Sequence, residues 1–218
     1  MIINWGDAPF KAFITVTYPS GTCTVTGEGQ TYTHSGGGTT TFTVKKKGTY
    51  TVKAVNGAAS TSKTASITNL NQTVSIKLSY ELILFDASTS LSTVKNNFTF
   101  NQGQTATYIE KSGNYFVFHG GNVMNFTARY NKTIDLTPYK TLQVYGYTTI
   151  TSNAKFGLST SAPGYNPSWA KSNTFTSSAA LRTIDISSLN GSYYFGIWHT
   201  NNGNGYPKNY VQYVKFIS

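Results

Sequence analysis

The stretch "TIDISSLNGSYYFGIWHT" (residues 183–200) contains the end of one strand, a turn and the start of another strand. Its middle, Ser-Ser-Leu-Asn-Gly, is a cluster of turn-forming residues, and the aromatic and β-branched residues that follow are typical of a strand. Asp185 lies between two isoleucines, although carboxylates are rarely found inside buried strands. The pattern therefore predicts a strand that ends at this aspartate.

The same pattern occurs fifty residues earlier, in "TIDLTPYKTLQVYGY" (133–147), where Asp135 lies between an isoleucine and a leucine. Two carboxylates in matched settings are compatible with the acid and base of a glycosidase. They are equally compatible with turns, because aspartate accepts hydrogen bonds from backbone N–H groups two or three residues onward. Each copy carries its own turn signal, and Thr137 and Ser187 can reinforce it. The sequence therefore favours a structural role for Asp135 and Asp185, with no catalytic residue.

The composition indicates an all-β protein. Among the 218 residues, aromatic residues reach 15% and charged residues only 11%, and strong helix formers are scarce. β-branched and aromatic residues favour pleated, half-buried surfaces, and no stretch of the sequence shows a helical period. The length allows two modest domains, each able to bury a core.

Residues 11–80 read as about seven short alternating strands separated by glycine-rich turns, which predicts a small sandwich of immunoglobulin type. The pattern F-x-V-x-x-x-G-x-Y-x-V is formed by Phe42, Val44, Gly48, Tyr50 and Val52. It resembles the immunoglobulin-like and carboxypeptidase-regulatory-like modules of surface and phage proteins. The resemblance implies a spacer or adhesive unit and no enzymatic activity.

Residues 81–218 contain longer predicted strands, including 106–121 and 123–136, and favour a jelly roll or a similar two-sheet sandwich. The two aspartate segments, "IDLTPYKTL" and "IDISSLNGSYYFGI", resemble the galactose-binding-like jelly-roll domains at the ends of phage tail and other virion proteins. In many members of that family, loops at one end of the sandwich bind carbohydrate. In others, the domain only packs against neighbouring subunits.

Net charge and cysteine content limit the binding partners and the disulfide bonds that the protein can have. The net charge is +10, from 17 basic and 7 acidic residues, but Lys45-Lys46-Lys47 is the only basic run. Nucleic-acid binders usually concentrate their basic residues on one face, so we expect no nucleic-acid partner. Cys23 is the single cysteine, which excludes an internal disulfide. We expect no membrane insertion and no signal peptide, hence synthesis in a host cytoplasm.

We expect no enzymatic activity, cofactor or transition-metal site. His34, His119 and His199 are widely separated, and no Cys/His pair has the spacing of a metal site. A calcium ion held by Asp86 and loop carbonyls would have a single carboxylate ligand and hence low affinity. The sequence contains neither a nucleophile elbow nor a P-loop.

Two polar loops, 159–173 and 199–210, carry aromatic residues and are the candidates for carbohydrate binding. Exposed rings can stack on sugars, and asparagine amides can both donate to and accept from sugar hydroxyls. The alternative is that each ring packs against its own loop and only stabilises it. For Trp169 and Tyr206 the sequence supports glycan binding and this packing role equally. For Tyr165 and Tyr210 it favours the packing role. The glycan-binding candidates are Trp169, Tyr206, Tyr165 and Asn202.

Together these features predict a non-enzymatic phage virion protein that displays an adhesive module for host-surface glycan. Residues 1–10 are expected to form an arm that docks on other virion proteins through Ile2, Ile3 and Trp5, or else a strand of the first sandwich. We also expect the protein to be oligomeric on the particle. Two alternatives remain open: a decoration or cement protein of the capsid or tail, and the carbohydrate-binding module of a bacterial surface protein.

Overall fold

The structure is a computed structural model that describes residues 9–101, 107–120, 125–150, 153–164, 166–200 and 207–218. Contacts between Cα atoms divide the chain into two compact units, with the boundary between Tyr80 and Glu81. Strands dominate both units, so the all-β prediction is confirmed. The described part of the chain contains no helix with the length and apolar character needed to cross a membrane.

The first unit is a sandwich of two sheets. Within its described residues, one sheet has the strand order β4-β1-β7 and the other the order β3-β2-β5-β6. β1 pairs antiparallel with β4 and parallel with β7. The strands are β1 (Ala12–Tyr18), β2 (Thr22–Gly27), β3 (Gln30–Ser35), β4 (Gly38–Val44), β5 (Gly48–Asn56), β6 (Ala59–Ile67) and β7 (Thr73–Lys77).

Alternation along these strands builds the core of the first unit. Ile14 and Val16 of β1 and Val52 of β5 are fully buried, while their sequence neighbours point outward. Tyr18 is also buried, and its hydroxyl lies 2.6 Å from Nδ1 of His34. The immunoglobulin-like sandwich expected for 11–80 thus follows from the period-2 pattern of the sequence.

The second unit contains two larger sheets. The β19 sheet has the order β10-β11-β19-β14-β17, with β8 also paired to β19; the β18 sheet has the order β16-β15-β18-β12-β9, with β13 also paired to β18. The elements are β8 (Glu81–Phe85), α1 (Leu91–Asn97), β9 (Phe98–Asn101), β10 (Tyr108–Ser112), β11 (Tyr115–His119), β12 (Asn125–Tyr130), β13 (Ile134–Asp135), β14 (Thr141–Thr148), β15 (Ala154–Ser159), β16 (Lys171–Thr174), β17 (Ala180–Asp185), β18 (Ser192–Thr200) and β19 (Lys208–Ile217).

Phenylalanines join the two sheets of the second unit. Phe98 of the β18 sheet makes edge contacts with Phe85 and Phe118 of the β19 sheet, at ring-centroid distances of 5.7 and 5.3 Å. Phe195 packs against the same ring from β18. Because edge-to-face aromatic pairs combine a large buried area with favourable quadrupole contacts, this cluster stabilises the sandwich. The remaining face of each sheet is directed outward.

One helix was not expected. The described residues include α1, whose N-cap Ser90 accepts a hydrogen bond from the backbone N–H of Thr93 at 3.1 Å. The sequence shows no helical period in this segment, and one short helix leaves the all-β class unchanged. With seven residues and only Val94 buried, the helix is too short to give a helical period in the sequence.

Two predicted long strands are each divided in the structure. Within 106–121, the described residues 107–120 contain a hairpin of β10 and β11 that turns at Gly113, whose φ of 57° suits glycine. Within 123–136, the described residues form β12 and then the short β13, which pairs with the start of β18. Both segments are apolar on each side of the break, which is why the sequence pattern read them as continuous.

Candidate functional site

Asp135 and Asp185 each close a turn at the end of a strand. Oδ1 of Asp135 accepts the backbone N–H of Thr137 at 3.0 Å, and Oδ1 of Asp185 accepts that of Ser187 at 2.9 Å. Hydrogen bonds from Ser187, with its side chain contributing most, hold the pKa of Asp185 below its usual value. The two exposed carboxylates belong to strands of different sheets, and none of the described contacts joins them.

Asp86 makes a third turn of the same kind. Its Oδ1 accepts the backbone N–H and the hydroxyl of Ser88, at 2.9 and 2.6 Å, and the hydroxyl of Thr89 at 3.3 Å. These bonds, the Ser88 hydroxyl foremost, lower the pKa of Asp86. This oxygen therefore shapes the turn that leads to α1. No cluster of three or more potential metal-ligating side chains occurs in the described ranges.

The three histidines occupy separate environments. His34 contacts Tyr18 in the first unit. His119 lies between Glu110, whose Oε1 is 2.7 Å from its Nε2, and the ring of Tyr108, stacked at 4.1 Å. Burial lowers the pKa of His119, and Glu110 offsets part of that effect. None of these arrangements brings two histidines together.

On the outer face of the β18 sheet, two glycines on neighbouring strands leave room for an indole ring. Gly157 of β15 and Gly196 of β18 are directly opposite each other, and neighbouring residues such as Phe195 point into the core. Trp169 lies on this pair: a methyl group at position 157 would be 2.9 Å from its Cε3, and one at position 196 would be 3.1 Å from its Cη2. At position 157 a methyl group would also lie only 2.4 Å from the carbonyl oxygen of Lys171, so glycine is required there, whereas at position 196 the half-buried indole would have to shift slightly to admit one.

The loop before Trp169 is fixed to the same face. The hydroxyl of Thr127 donates to the carbonyl of Gly164 at 2.6 Å, and the side-chain amide of Asn101 donates to the carbonyl of Pro163. A backbone bond from Ala170 to Leu158, 2.8 Å long, fixes the other end of the loop. These bonds and the glycine pair hold Trp169 in a defined position over the sheet.

Two more aromatic residues and two cations share this face, as the strand register shows. Tyr194 and Trp198 lie two residues before and after Gly196 on β18, and both are half-buried. Nζ of Lys155, opposite Trp198, is 5.8 Å from the centroid of the indole. β12 pairs with the edge of β18 that faces away from β15, and there Arg129 is directly opposite Gly196. We call Trp169, Trp198, Tyr194, Arg129 and Lys155 the tryptophan face.

The outer face of the β19 sheet carries a cluster of tyrosines. The rings of Tyr147 and Tyr210 are stacked, 4.5 Å apart and inclined by 10°, and Tyr115 packs edge-on against Tyr147. Tyr145 and Tyr213 form a second stacked pair at 5.9 Å. Burial raises the pKa values of Tyr115 and Tyr147. We call these five residues the tyrosine face.

The two faces differ in what they offer a ligand. In the stacked pair on the tyrosine face, Tyr147 and Tyr210 each cover one face of the other ring. On the tryptophan face, Trp169 rests on glycine backbone, and Nζ of Lys155 lies over the indole of Trp198. Flat aromatic surfaces beside hydrogen-bonding side chains suit ligands with apolar faces and polar edges.

The candidates from the sequence have different outcomes. Trp169 is half-buried and lies on a sheet face, over Gly157 and Gly196, and its part in glycan binding stays a prediction. Tyr210, assigned to a loop by its sequence, lies in β19 within the tyrosine face. The others lie outside the described residues: the glycan-binding candidates Tyr165, Asn202 and Tyr206, and the docking candidates Ile2, Ile3 and Trp5.

Sequence reasoning missed the glycine pair and the residues beside it. The available signal was a glycine inside each of two strand patterns, "KFGLS" and "YYFGIW", since an interior glycine often marks a close approach of other atoms. The sequence does not show that the two glycines pair. That pairing joins residues 39 positions apart (196 minus 157).

Comparison with known proteins gives likenesses of fold only. No protein-family model matches the sequence, and no curated protein matches it. Solved structures with similar folds include a xylan-binding module of family CBM86 from Roseburia intestinalis, which is 11% identical; the match covers 64% of this chain and 94% of that one, with a TM-score of 0.40. A legume lectin-like domain from Entamoeba histolytica is 13% identical, with coverages of 63% and 96% and a TM-score of 0.40.

A third similar structure comes from work on carbohydrate-binding modules of the β-sandwich superfamily. It is 16% identical, and the match covers 96% of this chain and 98% of that one, with a TM-score of 0.34. At these identities and TM-scores, none of the likenesses transfers a ligand or a site to this chain.

Proposed function

We propose that the second unit is a non-catalytic carbohydrate-binding module whose site is the tryptophan face. The observation that carries the proposal is the position of Trp169, held on the Gly157–Gly196 pair beside Trp198. Sugar rings present C–H groups on their faces, and these contact the electron-rich surface of an indole favourably. Hydroxyls at the sugar edges require donors and acceptors, which Lys155 and Arg129 partly supply.

The absence of catalysis is part of the proposal and rests on the carboxylates. Hydrolysis of a glycosidic bond ordinarily needs two carboxyl groups on either side of the scissile bond. Asp135 and Asp185 instead engage their own turns and lie in strands of different sheets. Among the described strands of the β18 sheet, β13 alone carries an acidic residue, Asp135, and this carboxylate engages its own turn.

The biological setting is proposed on the sequence resemblance alone. A phage particle that displays the module toward host glycan agrees with the virion-like jelly-roll pattern, and so does a module of a bacterial surface protein. The tryptophan face serves either setting, because the same contacts would attach a particle or a cell-surface protein to a polysaccharide. Other virion proteins and self-association remain predictions.

Substitutions on the tryptophan face test the function. Trp169→Ala and Trp198→Ala should each weaken binding to polysaccharide about thirtyfold, equivalent to about 2 kcal/mol, as expected for central aromatic anchors. Gly196→Ala is a subtler variant that leaves both rings present and should reduce the affinity less, since the new methyl group would lie 3.1 Å from Cη2 of Trp169 and require only a small shift of the indole. Affinity gel electrophoresis against a polysaccharide panel, with melting temperatures, measures both effects.

Tyr213→Ala is the matched control, because it removes a half-buried ring from the outer face of the other sheet. It should leave polysaccharide affinity within twofold of the wild type. If Tyr213→Ala weakens binding while the tryptophan variants do not, the site lies on the tyrosine face and the assignment to the tryptophan face is wrong.

A structural role is the second candidate function, and the tyrosine face favours it. Tyrosine is enriched at protein interfaces, and five such rings on one outer face resemble an interface core in composition. Under this alternative, the chain is a decoration or cement protein and contacts neighbouring subunits. Neither tryptophan variant would then change binding to cells or glycans, while Tyr213→Ala would weaken attachment to the particle.

A further inference from the structure

We infer that the ligand of the tryptophan face is an anionic polysaccharide, with negative groups bound by Arg129 and Lys155. The inference rests on the proposed function and specifies the chemical class of its ligand. Carboxylate and phosphate groups share the relevant chemistry, which is a negative charge on oxygen atoms that accept hydrogen bonds.

The distribution of charge in the second unit is the first argument. In the described residues of this unit, acidic and basic side chains meet in the β19 sheet: Glu81 forms an ion pair with Lys215 at 3.3 Å, and Glu110 contacts His119, whose pKa is lowered by burial, as a hydrogen-bond partner. Arg129 and Lys155 of the β18 sheet form no ion pair with a described carboxylate. The loop 159–170, which crosses the same face, also contains no acidic residue. The described strands of the β18 sheet carry one carboxylate, Asp135 of β13, which bonds its own turn and forms no ion pair with Arg129 or Lys155. Neither cation is therefore neutralised by an ion pair within the described part of this face.

The environment of Arg129 is the second argument. Its Nε is shielded from solvent and has no hydrogen-bond partner among the residues that the structure describes. A shielded donor without an acceptor costs free energy, and this cost is removed when an acceptor binds. The planar guanidinium presents several donors in a fixed fork that matches carboxylate or phosphate oxygens. Arg129 is thus suited to bind an anion beside Trp169. The indole of Trp169 covers Gly196, and Gly196 is directly opposite Arg129 on the neighbouring strand.

The placement of the two cations is the third argument. Arg129 lies on one side of β18, opposite Gly196, and Lys155 lies on the other side, opposite Trp198. From the usual strand spacing and rise per residue, their backbones are separated by roughly 12 Å across the sheet. A polymer with repeated negative groups can contact both cations and the indoles between them, whereas a single small anion contacts one.

A nucleic acid is also a polyanion with stacking rings, but the charge pattern disfavours it. Nucleic-acid sites usually neutralise a series of phosphates with clustered lysines and arginines. The tryptophan face has two such side chains, and the only basic run, Lys45–Lys47, lies in the first unit. An oligonucleotide is accordingly included in the experiment as an outcome.

The experiment measures binding of the full chain to four probes: polygalacturonate, poly(glycerol phosphate), neutral xylan and a single-stranded oligonucleotide. We expect at least one of the two anionic polymers to bind tenfold or more tightly than xylan at 50 mM salt. The preference should weaken as the salt concentration rises, because exposed charges are screened. If polygalacturonate binds more tightly, the group that the site recognises is a carboxylate; if poly(glycerol phosphate) binds more tightly, it is a phosphate.

Charge-removing variants then locate the contact. Arg129→Gln and Lys155→Gln should each lower the affinity for the anionic polymer about tenfold and lower the affinity for xylan by a smaller factor, because the glutamine amide loses the charge but can still bond a sugar hydroxyl. Lys53→Gln is the matched control, because it removes the same charge from an exposed position on β5 of the first unit. It should change neither affinity.

Several results would overturn the inference. If xylan binds as tightly as the anionic polymers and Trp169→Ala still abolishes binding, the proposed function stands and the anionic specificity is wrong. If Lys53→Gln weakens binding as much as Arg129→Gln, the attraction is only net charge. Tighter binding of the oligonucleotide through the same residues would make the ligand a nucleic acid. If none of the polymers binds, the proposed function itself fails.

Discussion

At the scale of single residues, His199 is a titratable group in the core of the second unit. The side chain is fully buried, its Nδ1 lies 3.1 Å from Oδ1 of Asn209, and its Nε2 has no hydrogen-bond partner within the described part of the chain. Burial lowers the pKa of His199, and the contact with Asn209 offsets part of the effect. The folded protein therefore holds this imidazole in its neutral form near neutral pH.

This burial predicts a loss of stability in mild acid. In the unfolded chain, histidine has a pKa of about 6.5. Below that value the unfolded state takes up a proton that folded His199 does not, so the free energy of unfolding decreases as the pH falls from about 6.5 to 5. Since the pKa of His119 is also lowered, it acts in the same direction. We expect a decrease of about 1 to 2 kcal/mol, measured by urea unfolding at pH 7 and pH 5.

His199→Gln provides the control, because glutamine is polar but does not titrate. Whatever its effect at pH 7, the difference between pH 7 and pH 5 should become smaller in this variant. Asp86 and Asp185, whose pKa values are lowered, titrate only below about pH 4 and do not contribute in this window. A wild type with equal stability at both pH values would contradict the prediction.

At the scale of elements, the aspartate turns end the strands and set where the next segment begins. After Asp135 the chain bonds back through the N–H of Leu136 to the carbonyl of Gly191, 2.9 Å away, which links the two turns. After Asp185, the N–H of Ile186 donates to the carbonyl of Lys140 at 2.8 Å. Each turn is thus hydrogen-bonded to a residue that follows the other turn in the sequence. Both turns depend on the short carboxylate side chain of their aspartate as an acceptor.

Removal of the acceptor should weaken the second unit without affecting its ligand. We expect Asp135→Ala to lower the free energy of unfolding by about 1 kcal/mol, because the N–H of Thr137 loses its partner. Asp135→Asn keeps an oxygen at the same place and should retain most of the stability. Thermal unfolding measures both, and polysaccharide binding should be unchanged at a temperature where both variants are folded. A catalytic role would instead appear as cleavage that either variant abolishes.

At the scale of the whole molecule, each unit completes its own sheets. Among the described strands, every pairing joins two strands of the same unit. The phenylalanine cluster that closes the second sandwich is likewise formed entirely from residues beyond position 80. The second unit thus has the hydrophobic core and backbone pairing that an independent domain requires.

We therefore expect a fragment of residues 81–218 to fold alone and to bind polysaccharide within twofold of the affinity of the full chain. Circular dichroism and a single cooperative unfolding transition would establish folding, and the affinity assay would establish binding. The complementary fragment 1–80 should show no polysaccharide affinity. Binding that needs both units would place part of the site in the first unit and contradict the assignment to the tryptophan face.

Much of the architecture could be predicted from local sequence. Alternation in "AFITVTY" (12–18) specifies a strand with Ile14 and Val16 inward, because side chains of a strand alternate between its two faces. The turn role of Asp185 could also be predicted, since the donor of its hydrogen bond is only two residues away. The sequence alone therefore determined the all-β class and the local function of each aspartate.

The candidate site was decided by tertiary structure. Trp169 was a candidate from its loop, but its place depends on Gly157 and Gly196 being opposite each other, which is a property of strand pairing. The tyrosine face likewise combines Tyr115, Tyr147 and Tyr210 from three strands that are distant in sequence. Local preferences act over a few residues, whereas pairing and register are fixed by burial of the whole sheet. For that reason the sequence shows which side chains are available, and only the folded sandwich shows which of them meet.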